Sequence, residues 1–504
     1  MFKRLAINTG SNVVMTVNRV IVIFIMAPIY VSNLGHYDYG LREMLLAITG
    51  YMGMLDLGMR TAIGRFASMY NAKNDNESLL VTYTTSLTFM IMVGCFLAIL
   101  LWLCAAFWSG LITPDEGDKV KYILFLVLVG AHILFLFPLF VTESYLEGLQ
   151  AYYLKNTINI ITSITIAIIS YIYITPANGL ILLTALAAVM TLLKFFIFVV
   201  ILLRPTLGRI APSFKKFSLS RLKEMLSFSI KSFVQGASFQ IETSSDRLVI
   251  GSILGPSVVP VYSVPASLIN MIYDFTQTLT HAFMPLFSDL NAKQEQEKIK
   301  QIYLISSKLF VGFFIPASIA IIVVGGPFIE TWMRGEFSRE SMDGIILLLM
   351  LYVLIPKLNP FVSRYLTAIG WHGIFAKVAP VAAIINLGLS VWLVFEIGVI
   401  GAAFGSVIPV FFVMPIYLIY SCRHLHVSIM TYIKKVVLPV MLPSVLMLSC
   451  SLWLRMTWGL NNYSEILVCA SIGAGVYFVC YWYLSMGPNE RYIVLKWLRK
   501  YLSW

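Results

Sequence analysis

Uncharged apolar stretches of twenty residues or more recur from one end of this sequence to the other, and LTFMIMVGCFLAILLWLCAAF at 87–107 is one of them. The hydrocarbon of a bilayer is about 30 Å thick, so a helix needs about 20 such residues to cross it. Inside that layer no water is present to satisfy amides and carbonyls, and a helix satisfies its own. The recurrence predicts an all-α, polytopic membrane protein. Only 12% of the residues are charged, about half the share usual in soluble domains. No polar stretch is long enough to fold as a soluble domain between the spans.

Segmenting on that length gives about fourteen transmembrane helices, near 11–32, 40–59, 79–108, 120–141, 157–175, 179–203, 226–253, 259–285, 303–325, 343–368, 375–396, 400–421, 436–458 and 464–486. The net charge of +12 would suggest nucleic acid in a soluble protein. Here it reads as orientation, because Lys and Arg gather in cytoplasmic loops. With both termini inside, the outside loops hold only Arg42, Lys119, Lys121, Arg334 and Arg339, and most other loop cations fall inside. The most basic segment, Arg204 to Met225, follows helix six. It divides the chain into an N-terminal lobe (1–203), a basic cytoplasmic linker (204–225), a C-terminal lobe of helices seven to twelve (226–421), and helices thirteen and fourteen with a basic tail (434–504).

Several spans carry polar residues in lines. Positions i, i+4 and i+7 share one helix face. In helix seven that face reads Lys231, Gln235, Ser238 and Glu242, continued by Ser245 and Asp246, with Arg247 beside them. Helix eight repeats the pattern with Ser263, Ser267, Asn270, Asp274, Gln277 and His281. Helix one carries Asn8, Asn12, Thr16 and Arg19, and helix ten Lys357 and Arg364, flanked by Pro356 and Pro360. Each charge at a helix centre costs about 2.5–3.5 kcal/mol against lipid. Aligned charges therefore point to a hydrated interior. The same residues would also serve as structural bridges, with Glu242 and Asp246 pairing Lys231 and Arg247. The interior balance is cationic, which suits an anionic cargo such as a phosphate or an acidic sugar.

The chemistry of an enzyme is missing. There is no P-loop, HExxH or GxSxG pattern, and no outside loop is large enough to house a glycosyl-transferring site. His424 and His426 form an isolated pair, and the six cysteines are scattered without metal or disulfide spacing. The reading is a non-enzyme without catalytic residues, cofactor or metal site. A weak internal repeat pairs LGHYDYG (34–40) with LGPSVVPVYS (254–263), the parallel form expected of two lobes in one orientation.

LGHYDYGLREMLLAITGYMGMLDLGMRTAIGRFAS (34–68) resembles the start of bacterial oligosaccharide flippases, the polysaccharide-transport branch of the multidrug/oligosaccharidyl-lipid/polysaccharide exporter superfamily. The likeness rests on Leu34-Gly35, Tyr39-Gly40 and Leu55-Asp56-Leu57-Gly58, then on Asp246-Arg247, Leu254-Gly255, Tyr262-Ser263 and Pro285. Pro260 departs from the Gly expected at its turn. The resemblance implies translocation of a polyprenyl-diphosphate-linked oligosaccharide, of the undecaprenyl type, from the inner to the outer leaflet of a bacterial inner membrane, for O-antigen, capsule or exopolysaccharide assembly. It further implies alternating access, a Na+ or H+ gradient as energy source, membrane lipid and polysaccharide polymerase or chain-length proteins as partners, and no nucleic acid. On stripe geometry, Arg19, Lys231, Arg247, Lys357 and Arg364 are candidates for binding the anionic cargo. Asp56, Glu242, Asp246 and Asp274 are candidates for ion coupling. The alternative is an ion-coupled multidrug exporter of the same superfamily, which would want an acidic or apolar cavity.

Overall fold

The computed structural model describes residues 2–107, 119–204, 211–281, 283–371, 373–488 and 491. The side chains of Lys231, Gln235 and His281 lie outside those described. Among the described residues every regular element is helical, and twelve helices are long and apolar enough to cross a membrane. They fall into two compact units, Met1–Val259 and Pro260–Trp504.

The first unit holds α1 (Phe2–Met54), α2 (Met59–Ala72), α3 (Asn76–Phe107), α4 (Lys119–Gly148), α5 (Tyr152–Tyr173), α6 (Gly179–Leu202) and α7 (Leu219–Ile253). Two predicted helices, 11–32 and 40–59, form the single element α1, which kinks at Gly35. There φ is 70°, a left-handed conformation that a side chain resists and glycine takes freely. Helix four runs past its predicted end at 141 because Thr142, Tyr145 and Leu146 continue its buried face. Helix seven is 35 residues long, enough to span, yet it is not among the twelve, because its charges and hydroxyls lower its hydropathy. It packs within this first unit: Ser86 Oγ lies 3.7 Å from Met225 Sδ, and the hydroxyls of Tyr51 and Ser245 are hydrogen-bonded. Tyr83, Ile133, Phe137, Tyr145 and Phe198 form the core.

The second unit holds α8 (Val259–His281), α9 (Phe283–Ala292), α10 (Gln296–Trp332), α11 (Arg339–Lys357), α12 (Val362–Ala368), α13 (Gly373–Ile397), α14 (Val399–His424), α15 (Ile429–Trp458) and α16 (Tyr463–Ser485). Predicted helix ten, 343–368, is two helices, with a break from Leu358 to Phe361. Pro360 explains it: proline has no amide to donate and its ring clashes with the preceding turn. Pro28, Pro138 and Pro316, by contrast, lie inside helices that continue past them. Phe287, Tyr303, Phe361, Tyr365 and Tyr432 form the core.

The chain repeats itself at a spacing of 220 positions, a duplication whose boundary differs from that of the two units. Gly35 and Gly255 both have positive φ, at 70° and 94°. NAKNDNE (71–77) matches NAKQEQE (291–297), and each turn places its fourth residue, Asn74 or Gln294, in the left-handed region. The Asp75 amide donates to Tyr70 O at 3.0 Å, as the Glu295 amide does to Leu290 O. Tyr83 meets Tyr145 edge-on at 5.0 Å between centroids, and Tyr303 meets Tyr365 edge-on at 5.4 Å. The Leu-Gly pair visible in the sequence is one point of a duplication carried through the cores.

Candidate functional site

In the second unit the break after α11 sets two cations in place. Lys357 is the last residue of α11 and only 6% exposed. Its ammonium lies 4.9 Å from the centre of the Tyr273 ring on α8. Arg364, one turn into α12, donates from Nη2 to Gln277 Oε1 at 2.8 Å, and its buried Nε has no hydrogen-bond partner among the described residues. Neither cation has a carboxylate within ion-pair distance among the described residues. Buried charges are normally paired. Two that are instead held by a ring face and an amide keep their capacity to bind an anion. Asp274, one residue beyond Tyr273, is half-buried, and His281 ends the helix with its side chain outside those described. The α8 stripe is thus partly realised: Gln277 meets Arg364, whereas Ser267 bonds back to Ser263 O at 2.8 Å within the helix.

The break itself is held by a buried network that the sequence reading missed. Asn359, 1% exposed, donates from Nδ2 to Ser421 Oγ at 3.0 Å. Its Oδ1 accepts from the Tyr303 hydroxyl and, at 3.3 Å, from the Tyr432 hydroxyl, which also donates to Leu358 O at 2.9 Å. None of these side chains is charged, so no alignment of charges marked them. The Asn-Pro pair at 359–360 was the available signal.

In the first unit the predicted residues separate. Arg247 Nε sits 3.5 Å from Glu43 Oε2, and Glu43 also takes Arg42 at 2.9 Å, so Arg247 belongs to a bridge. Asp246 is 2% exposed, and Glu242 half-buried. Lys231 lies on the same helix with its side chain outside those described. Arg19 is exposed on α1. The asparagines on the same helix hold α5 and the turn before it: Asn8 Nδ2 donates to Gln150 O at 3.0 Å, and Asn156 Nδ2 to Asn12 Oδ1 at 2.6 Å. That part of the helix-one stripe is an interhelical seam, of the kind polar side chains make between membrane helices.

Asp56 lies in the turn between α1 and α2. Its Oδ1 accepts from the Gly58 amide at 2.7 Å, and its Oδ2 is 3.2 Å from Arg60 Nε. Gly58 has φ 74°, and a Cβ there would stand 2.6 Å from Ser229 O. The Leu-Asp-Leu-Gly motif is therefore a turn that lets α7 approach closely. Beyond it, Glu143, Asn159 and Lys194 form a chain that the sequence reading missed. Lys194 Nζ donates to Asn159 Oδ1 at 3.1 Å, and Asn159 Nδ2 to Glu143 Oε1 at 3.1 Å. Glu143 escaped notice because the predicted helix stopped two residues before it.

A duplicated bundle of long apolar helices with charges set inside it defines a multi-pass membrane protein of transporter architecture. The chain belongs to the family of polysaccharide biosynthesis proteins, whose profile matches residues 5–291. It is 22% identical over 380 residues to a Shigella flexneri protein described as an O-antigen transporter, covering 74% of this chain and 86% of that one. It is 24% identical over 197 residues to a Haloferax volcanii protein described as the low-salt glycan biosynthesis flippase Agl15, covering 39% of this chain but only 41% of that relative's length. Among solved structures it shares the fold of the lipid II flippase MurJ in an inward closed conformation, with a TM-score of 0.71, 17% identity, and 93% and 98% of the two chains covered. It also shares that of an inward-facing multidrug resistance transporter of the MATE family, with a TM-score of 0.68, 15% identity, and 80% and 94% covered.

Proposed function

We propose that this protein is a flippase that carries a lipid-linked oligosaccharide across the membrane for surface polysaccharide assembly. The observation that carries the reading is the pair Lys357 and Arg364, one buried and one half-buried cation without a carboxylate partner among the described residues. A diphosphate linking lipid to sugar supplies the missing anion, and Arg can grip it bidentately. The family and the names of the relatives support the same reading. Multidrug export, favoured only by the likeness to a MATE transporter, fits poorly with two cations that have no carboxylate partner among the described residues.

The proposal extends to fourteen crossings with both termini cytoplasmic, counting the kinked α1 twice and the polar α7 once. It places the chain in a bacterial inner membrane, with an undecaprenyl-type carrier, Na+ or H+ coupling, and a polymerase and chain-length proteins downstream. Of the carboxylates named for coupling, Asp274 stands one residue from the ring that holds Lys357, and Asp56 accepts from the Gly58 amide of its own turn. The direct experiment reconstitutes the purified chain in liposomes with the lipid-linked oligosaccharide in the inner leaflet and measures its exposure outside. Transfer that matches empty liposomes rejects the function.

A further inference from the structure

Two cavities of about 580 and 550 Å³ lie within the first unit, in the range of ligand sites. Both are lined by Arg60, Thr61 and Phe140. The guanidinium of Arg60 lies over the Phe140 ring, 3.0 Å from its centre, so the two make one stacked platform shared by the cavities. One cavity continues to Thr49, His132 and Gln240, where Gly50, Gly53 and Gly236 leave room. The other opens past Glu143, Glu147, Tyr152 and Lys155.

The charges along these walls are largely compensated on the spot. Arg60 is paired with Asp56, Lys155 Nζ donates to Glu147 Oε1 at 2.5 Å, and Asn159 joins Glu143 to Lys194. The duplication sharpens the contrast with the second unit. The positions 220 before Lys357 and Arg364 are Phe137 and Ser144, and those 220 after Glu143 and Lys194 are Ser363 and Met414. One fold thus carries two chemistries. The second unit offers Lys357 and Arg364, which have no carboxylate partner among the described residues. The first offers donors and acceptors in balance, with flat faces beside them. An anion gains most from the former. A polyhydroxylated ring gains from the latter, since each hydroxyl both donates and accepts, and charged partners make its strongest hydrogen bonds.

We propose that the linked cavities of the first unit bind sugar residues of the transported oligosaccharide, with the Arg60–Phe140 platform as their shared floor and Glu143, Glu147 and Lys155 as hydroxyl partners, while Lys357 and Arg364 take the phosphate. The assignment rests on the flippase reading above. The test uses the full chain in nanodiscs and two probes: inorganic diphosphate, and the free oligosaccharide released by mild acid from the lipid-linked pool of the cells that make it. Binding is followed by calorimetry. Glu147→Gln and Tyr152→Ala, both at half-exposed positions, weaken oligosaccharide binding, the first about ten-fold, as losing a hydrogen bond to a charged group does, and the second about five-fold, as losing a neutral hydroxyl and ring from the wall does, and leave diphosphate binding unchanged. Lys357→Ala does the reverse. Normal oligosaccharide binding in both rim variants, or a wild-type chain that takes diphosphate but no oligosaccharide, overturns the assignment and leaves the flippase reading standing. A wild-type chain that takes neither probe overturns both.

Discussion

The Lys357 ammonium rests 4.9 Å from the centre of the Tyr273 ring, and the ring stands where an ion-pair partner would ordinarily be. A ring face attracts a cation by about 0.5–2 kcal/mol and does not neutralise it. Lys357→Ala and Arg364→Ala are each expected to lower surface glycan export about ten-fold or more at normal protein levels. Tyr273→Phe keeps the face and should export normally, whereas Tyr273→Leu should reduce export. Glycan immunoblots beside a membrane-protein blot read all four.

Asp56 carries a prediction that separates two roles. Asp56→Asn keeps an oxygen for the Gly58 amide and removes the charge facing Arg60. If the residue serves the turn, export survives this change and falls with Asp56→Ala, which leaves that amide without its partner at a cost of about 1 kcal/mol. Loss of export in the Asn variant would instead assign Asp56 to coupling.

Asn359→Leu should be among the most damaging single changes in the second unit. It leaves the Tyr303 hydroxyl and Ser421 without the partner they share in an apolar surround. An unsatisfied buried polar group costs about 1–3 kcal/mol. Thermal unfolding in detergent should show a clear fall, and Tyr303→Phe, which removes only one of these donors, a smaller one.

Gly58→Ala meets both a left-handed backbone and the Ser229 carbonyl. The backbone strain alone is worth about 1–3 kcal/mol. Gly388→Ala, in a helix with nothing within 4 Å of the added carbon, should be neutral or mildly stabilising. The same unfolding assay separates the two.

The spans, the kinship and the polar lines were legible because hydrophobic length and helical periodicity are local properties. The helix-ten break was half legible, through Pro356 and Pro360. What the sequence could not reveal was pairing across distance. Arg247 reads in the sequence as a candidate cargo ligand, and its ion-pair partner Glu43 lies more than two hundred residues away. Asn8 and Asn12 read as cavity lining, and they bond the turn before α5 and α5 itself. The division of the chain was obscured by the polar linker: Arg204 to Met225 reads as a boundary, yet the helix that starts at Leu219 packs into the first unit. The 220-residue repeat was faint because its strongest marks, NAKNDNE and NAKQEQE, are seven residues long and span the short turns between helices, and its tyrosine pairs show only in space.

Tyr432 gives the C-terminal helices a purpose. The break after Lys357 leaves the Leu358 carbonyl and the Asn359 amide deep among apolar side chains, and the hydroxyl that satisfies that carbonyl comes from α15, which has no counterpart in the first copy. A chain trimmed after His424 would keep both halves of the duplication and lose that hydroxyl. The added pair of helices is the splint that lets one copy stay broken where the other runs straight.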